Sequence, residues 1–229
     1  MPLPEKVKRK IYTYCNNQLA DGPWYETQFD FIQEDYLRTR IIKEFRAIRF
    51  AYKLYEGIAA TDENLIFEVR NQILAYATIY EAVIQYVLYT YYKDSHEFYC
   101  MTHHTVPVKV CIPEAKLTTI SRALSHDGKD IVPFYYKEKE KENTQIRFDS
   151  KCRTANQLGL LHSFVNAQGD FVDLPSEIIE VYGYRNGIHL AAEQRKGIVY
   201  ELDLSKLAYW RMQPFIDQIK EKLHQDEKY

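Results

Sequence analysis

"AYATIYEAVIQYVLYTYY", residues 75–92, is the stretch that decides the fold of this chain. Across residues 63–92, apolar side chains recur every three or four positions, which predicts one long amphipathic helix. The other flank is also rich in apolar and tyrosine residues, so we expect burial on more than one side, in a bundle or a dimer. Glu81 lies in the middle, where a carboxylate is costly unless it is paired or reaches water. The recurring positions are Ile66, Val69, Ile73, Tyr76, Tyr80, Val83, Val87 and Tyr91.

Further helices are expected on both sides of this one. Apolar periodicity, helix-start residues and helix-breaking residues define them. Thr61 or Asp62 is placed to cap the long helix by accepting backbone N–H bonds. The chain is therefore predicted to be mainly α. The other predicted helices are residues 29–55, ended by Gly57; residues 149–164; residues 173–197, started by Asp173 and Pro175; and a last helix from Ser205, which Pro214 should kink or split.

A small β-containing insertion is expected at about 95–148, within a single domain that spans residues 1–229. It offers too little core to stand alone. Alternating β-branched residues between prolines predict strands, and Gly beside Asp predicts a turn. The predicted parts are a strand in "TVPVKVCIP" (105–113), a helix over 114–124, a turn at "HDGKD" (126–130), a strand in "IVPFYY" (131–136) and a solvated loop at "KEKEKEN" (137–143).

Composition and charge limit the classes of function. With 229 residues, 46% of them hydrophobic and 27% charged, the chain has the balance of an ordinary folded protein. A formal net charge of −2 excludes an overall electrostatic grip on nucleic acid, so any RNA contact must come from a local patch. No uninterrupted apolar window is long enough to span a bilayer, and the N-terminus lacks the apolar stretch of a secretory signal. We therefore expect a cytoplasmic protein with no membrane partner.

The four cysteines predict neither a disulfide framework nor a metal centre. They are widely separated and form no CxxC pair. Cys100 with His103 and His104 offers the ligand types that zinc prefers, but no second cluster has ligand spacing. Reduced thiols and no cofactor are the expectation.

The stretch "VYGYRNGIHLAAEQRKG", residues 181–197, carries the candidate chemistry. In a helix, Arg185 and His189 lie on one face and together supply a permanent cation and a group that titrates near neutrality. RNA cleavage without a metal needs a general acid or base and a positive charge at the phosphate. Asn186 is placed to orient the phosphate or ribose. Gly183 and Gly187 form a notch that admits a close backbone approach.

A purely structural interpretation of the same residues stays open. In that interpretation Arg185 bridges to Glu81 or Glu180, while His189 pairs with Glu193. The twenty tyrosines are mostly expected in the core or at interfaces. Tyr182 and Tyr184, beside the motif, are the candidates for stacking on unpaired bases.

The octapeptide "YGYRNGIH", residues 182–189, resembles the signature of the HEPN superfamily, in which Arg, a polar residue and His follow one another in a helix. Residues 75–92 are similar to the superfamily's long second helix, which often carries an acidic residue at the position of Glu81. Three residues separate Arg185 from His189 here, fewer than is usual in the family, and Leu190 replaces a frequent proline. The similarity covers about 60–93 and 150–225.

This resemblance implies a bundle of four or five helices that dimerises, so that Arg and His of both copies face one composite cleft. It implies a metal-independent endoribonuclease of a defence or toxin type, with RNA as substrate and an antitoxin or defence-system protein as a further partner. Arg185, Asn186 and His189 take the active-site positions, with Glu81 a weaker fourth. Because many members are not catalytic, the alternative is an inactive HEPN-like protein-interaction or nucleotide-binding module.

Overall fold

The computed structural model describes residues 1–123, 125–126, 128–130, 132–187 and 197–229. The described chain is mainly helical with small two-stranded sheets. It forms two compact units, one made of residues 1–93 and 148–229 and the other of residues 94–147. The first unit contains α1 (Glu5–Asn17), α2 (Gly22–Gln28), α3 (Asp35–Gly57), α4 (Asp62–Tyr91), α7 (Phe148–Gln157), β5 (Phe164–Val165), β6 (Phe171–Val172), α8 (Leu174–Arg185), α9 (Leu202–Trp210) and α10 (Met212–Gln225).

Helix α4 is the centre of the first unit. Helices α3, α7, α8 and α9 all pack against it. Val69, Ile73 and Leu88, each at most 1% exposed, are among the many α4 residues that the neighbouring helices cover. The long helix and its burial on more than one side are therefore confirmed. Thr61 occupies the N-cap position, but its hydroxyl donates to the Asp62 carboxylate (3.0 Å) instead of capping the helix.

Tyrosines of α4 connect it to distant backbone. The Tyr80 hydroxyl donates to the Ala208 carbonyl at 2.7 Å, and the Tyr91 hydroxyl to the Phe31 carbonyl at 2.6 Å. A buried tyrosine combines a large apolar ring with one polar group that needs a partner. The rings of these two tyrosines pack in the first unit, and their hydroxyl groups fix the backbone at Ala208 and Phe31.

Several predicted helix ends were wrong. Helix α3 begins at Asp35, not near residue 29, because Phe29, Phe31 and Ile32 are completely buried in the connection from α2. Helix α7 ends at Gln157 and not at residue 164, since Gly159 adopts a φ of +77° that closes the helix. The break predicted at Pro214 is confirmed: α9 ends at Trp210 and α10 starts at Met212.

The second unit contains α5 (His96–Thr102), β1 (His103–Lys109), α6 (Glu114–Ala123), β2 (Ser125–His126), β3 (Lys129–Asp130) and β4 (Phe134–Glu140), and a short 3-10 turn (Asn143–Gln145). Strands β1 and β4 pair antiparallel, with His103 opposite Glu140 and Lys109 opposite Phe134. The loop predicted at 137–143 was wrong for residues 137–140, which continue β4. The strand is exposed along its whole length, so neither of its faces needs apolar residues and its sequence lacks the alternation that marks a half-buried strand.

The described residues were also compared with what a membrane-spanning helix, a metal site and a disulfide require. Within those ranges no helix has both the length and the apolar character to cross a bilayer, and no three potential metal ligands come together. The four thiols are free: Cys15 and Cys152 are buried, whereas Cys100 and Cys111 are exposed.

Candidate functional site

Glu81, Tyr182 and Arg185 form a polar cluster on the first unit. The Tyr182 hydroxyl donates to Glu81 Oε1 at 3.0 Å, and an Arg185 Nη donates to the Tyr182 hydroxyl at 2.5 Å. The same Arg185 nitrogen lies 3.4 Å from Glu81 Oε2. The structure thus brings together three of the residues that the sequence singled out. It pairs Arg185 with Glu81, which was one of the two alternatives left open.

The start of α8 explains why the cluster forms. Asp173 is the N-cap, its carboxylate accepting from the Ser176 backbone N–H, and a proline lies in the first turn. Ile178 and Val181 are buried, and α8 packs against α4. Residues three apart on a helix lie on one flank, so Tyr182 and Arg185 both reach Glu81.

Tyr182 is held on several sides. Its ring stacks on Phe148 with centroids 4.1 Å apart, and the Arg185 guanidinium carbon lies 4.9 Å from the ring centroid. Burial raises the pKa of Tyr182, Glu81 raises it further, and Arg185 opposes both. Tyr182 is therefore neutral. Its hydroxyl donates to Glu81, accepts from Arg185 and holds both side chains in position, while Phe148 covers one face of its ring.

Lys151 adds a second cation that the sequence did not indicate. Its side chain is only 6% exposed, and Nζ donates to Gln85 Oε1 at 2.8 Å, one turn of α4 beyond Glu81. Burial lowers the pKa of Lys151, while the nearby Glu81 carboxylate opposes that shift. Glu81 thus interacts with two basic side chains: it pairs with Arg185 and lies near Lys151.

The end of α8 corrects the expected helix. We expected residues 173–197 to be helical, but α8 ends at Arg185, with Asn186 as an exposed C-cap residue. The expected alignment of Arg185 with His189 on one helical face depends on residues 188–196, which the structure does not describe. A Cβ at Gly187 would meet Ile198 Cδ1, so a residue of this chain takes the space predicted for a ligand. His189 lies outside the described residues.

The remaining predicted residues are placed differently. The Tyr184 hydroxyl donates to Glu180 at 2.7 Å, away from Glu81. At Gly183 a Cβ would meet nothing within 4 Å, so this glycine is not required by packing among the described residues.

The geometry of the cluster defines what it can do. The side chains of Arg185 and Glu81 are 33% and 29% exposed, so the pair is open to solvent and contributes at most about 1 kcal/mol to stability. Comparison of the chain with models of protein families, with curated proteins and with solved structures finds no match.

Proposed function

We propose that this protein is a metal-independent endoribonuclease of the HEPN type. The observation that carries the proposal is the half-exposed Arg185 guanidinium, which Glu81 and Tyr182 hold at the end of α8. The buried Lys151 ammonium behind the cluster supports it by adding positive charge. A guanidinium held in position stabilises the negative charge that develops on phosphate oxygens as a phosphorane forms.

In the proposed reaction the ribose 2′-hydroxyl attacks the adjacent phosphorus. His189 accepts the hydroxyl proton or donates a proton to the leaving 5′-oxygen. Arg185 stabilises the charge that develops on the phosphate oxygens, and Asn186 orients the substrate. The P–O5′ bond breaks, giving one product that ends in a 2′,3′-cyclic phosphate and one that starts with a 5′-hydroxyl.

The finer architecture belongs to the same proposal. Helices α3, α4, α7 and α8 would correspond to the HEPN bundle, and two copies would place their Arg185 and His189 residues in one cleft. The motif resemblance supports this arrangement. It also supports a defence or toxin role in the cytoplasm, with an antitoxin or a defence-system protein as a partner. Tyr184 remains the candidate for contact with a base.

The test is an incubation of purified protein with mixed RNA in excess EDTA. We expect fragments that carry 2′,3′-cyclic phosphate ends. Arg185→Gln should lower the cleavage rate by about 10²- to 10³-fold, the usual effect of removing one charge-stabilising donor. Arg40→Gln is the matched control, because Arg40 lies on exposed α3 surface beside Glu44, and it should cleave like the parent protein.

The competing candidate is an inactive HEPN-like interaction module. It is favoured by the contacts that Glu81 and Tyr182 already make with Arg185. A stable complex of the protein with RNA or with another protein, formed without any RNA cleavage products, would replace the nuclease proposal by this one.

A further inference from the structure

A cavity of about 750 Å³ lies between the β5–β6 hairpin and helices α9 and α10 of the first unit. It shares no residue with the Glu81–Arg185 cluster. Its volume is within the usual range of binding sites for small molecules. Much of its wall is apolar, because one stripe of side chains, three or four residues apart, continues from α9 into α10. The apolar side chains of that stripe and of the hairpin include Leu207, Trp210, Pro214, Phe164 and Val165.

Trp210 contributes an exposed indole ring to this cavity. The residue is 58% exposed, and Val165, which lines the cavity from the hairpin, is 65% exposed. Large apolar side chains that stay exposed beside one another commonly mark a binding site. Among aromatic side chains, tryptophan attracts cations most strongly through the face of its ring. The cavity is therefore suited to a ligand that has both apolar and cationic parts.

Two exposed carboxylates line the cavity, Asp170 from the hairpin and Asp217 from α10. Each accepts a hydrogen bond from an amide side chain that lines the same cavity. Asn166 Nδ2 donates to Asp170 Oδ2 at 3.1 Å, and Gln213 Nε2 donates to Asp217 Oδ1 at 2.8 Å. Within the ranges that the structure describes, neither carboxylate has a cationic partner, and the second oxygen of each accepts no hydrogen bond. Both carboxylates can therefore accept from a ligand.

The charges of the wall limit the class of ligand. Arg211 also lines the cavity, but it forms an ion pair with Glu177 and so adds no net positive charge. The wall is therefore negative and disfavours an anionic ligand. A divalent metal ion needs several oxygen ligands around one point, and no three potential metal ligands come together in the part of the chain that the structure describes. The complementary ligand carries two positive charges joined by an apolar chain.

We propose that this cavity binds an aliphatic polyamine such as spermidine. One ammonium group donates to Asp170 and another to Asp217, each to the oxygen that accepts no other hydrogen bond. The methylene chain between them packs on Leu207 and Pro214, and an ammonium group contacts the Trp210 ring. The proposal goes beyond the ribonuclease proposal and does not rest on it.

Tryptophan fluorescence and calorimetric titration with spermidine test the proposal. The chain has two tryptophans, so Trp24→Phe leaves Trp210 as the only one, and spermidine should change the emission of that variant. Trp210→Ala should weaken spermidine binding by about 10-fold, the usual effect of losing a cation–π contact that is partly shielded from water. Because Trp210 is exposed, this variant should melt like the parent protein.

The double variant Asp170→Asn/Asp217→Asn tests the two carboxylates. It should weaken spermidine binding by about 10-fold, since an ion pair at an exposed site is worth up to about 5-fold in affinity and two are removed. Asparagine keeps the shape and one oxygen acceptor of each side chain. Glu201→Gln/Glu221→Gln is the matched control, because both residues are exposed, neither lines the cavity, and the change in net charge is the same. It should bind spermidine like the parent protein.

Further ligands separate a polyamine site from weaker alternatives. Mg²⁺ at the same concentration should not displace spermidine, and N-acetylarginine amide, which carries one cation, should bind more weakly. Displacement by Mg²⁺, or an equal loss of affinity in the control variant, would reduce the effect to general attraction of counter-ions and overturn the proposal. Arginine amide that binds as tightly as spermidine would assign the cavity to a single guanidinium group and overturn it as well. The same holds for an absence of spermidine binding to the parent protein.

Discussion

His189→Ala is expected to lower the rate of RNA cleavage by about 10²- to 10⁴-fold, the usual contribution of a general acid or base. Imidazole is the side chain whose ordinary pKa lies near neutral pH, whereas the Arg185 guanidinium keeps its proton. Cleavage is measured as the release of fragments with 2′,3′-cyclic phosphate ends, in EDTA and at saturating RNA.

His162→Ala is the control for this variant. The His162 side chain is exposed between α7 and β5, remote in sequence from the motif, so its loss should leave cleavage unchanged. Circular dichroism and gel filtration of His189→Ala should match those of the parent protein. Retained cleavage by a folded His189→Ala protein would remove His189 from the mechanism.

Phe45→Ala is expected to reduce the free energy of unfolding by about 3–5 kcal/mol, because it empties a large space in a packed core. Phe45 is 1% exposed and stands where α2, α3, α4 and α9 meet. Each lost ring pair adds to the cost of the cavity. Its ring contacts, with centroids 5.6–6.4 Å apart, are Trp24, Tyr25, Phe29, Tyr76 and Tyr209.

Urea denaturation followed by circular dichroism measures this effect. Tyr36→Ala on the same helix is the matched control, since Tyr36 is 80% exposed, and its effect should be within about 0.5 kcal/mol. A loss of less than about 1 kcal/mol for Phe45→Ala would mean that the aromatic cluster is not a main source of stability.

The sequence predicted the helices whose apolar periodicity coincides with burial. Helix α4 is the main case, because its stripe is long and regular. Periodicity failed before α3, since Phe29 and Phe31 are buried in a connection, and a buried connection and a buried helix show the same apolar residues. It also failed at β4, whose exposed Lys and Glu side chains give no alternation to detect.

The candidate sites were predictable only in part. The pairing of Arg185 with Glu81 could be anticipated because a carboxylate in the middle of an apolar helix needs a partner. Lys151 was missed because its contact with Gln85 joins α7 to α4, and sequence spacing carries no information about such a contact.

The placement of the thiols divides the chain by chemical reactivity. Cys100 and Cys111 are exposed in the unit formed by residues 94–147, and Cys15 and Cys152 are buried in the helical unit around α4. Burial also raises the pKa of Cys152, which keeps its sulfur protonated and unreactive. A maleimide dye or spin label added to the native protein thus marks the smaller unit alone, and modification of the other two sulfurs reports when the α4 core opens.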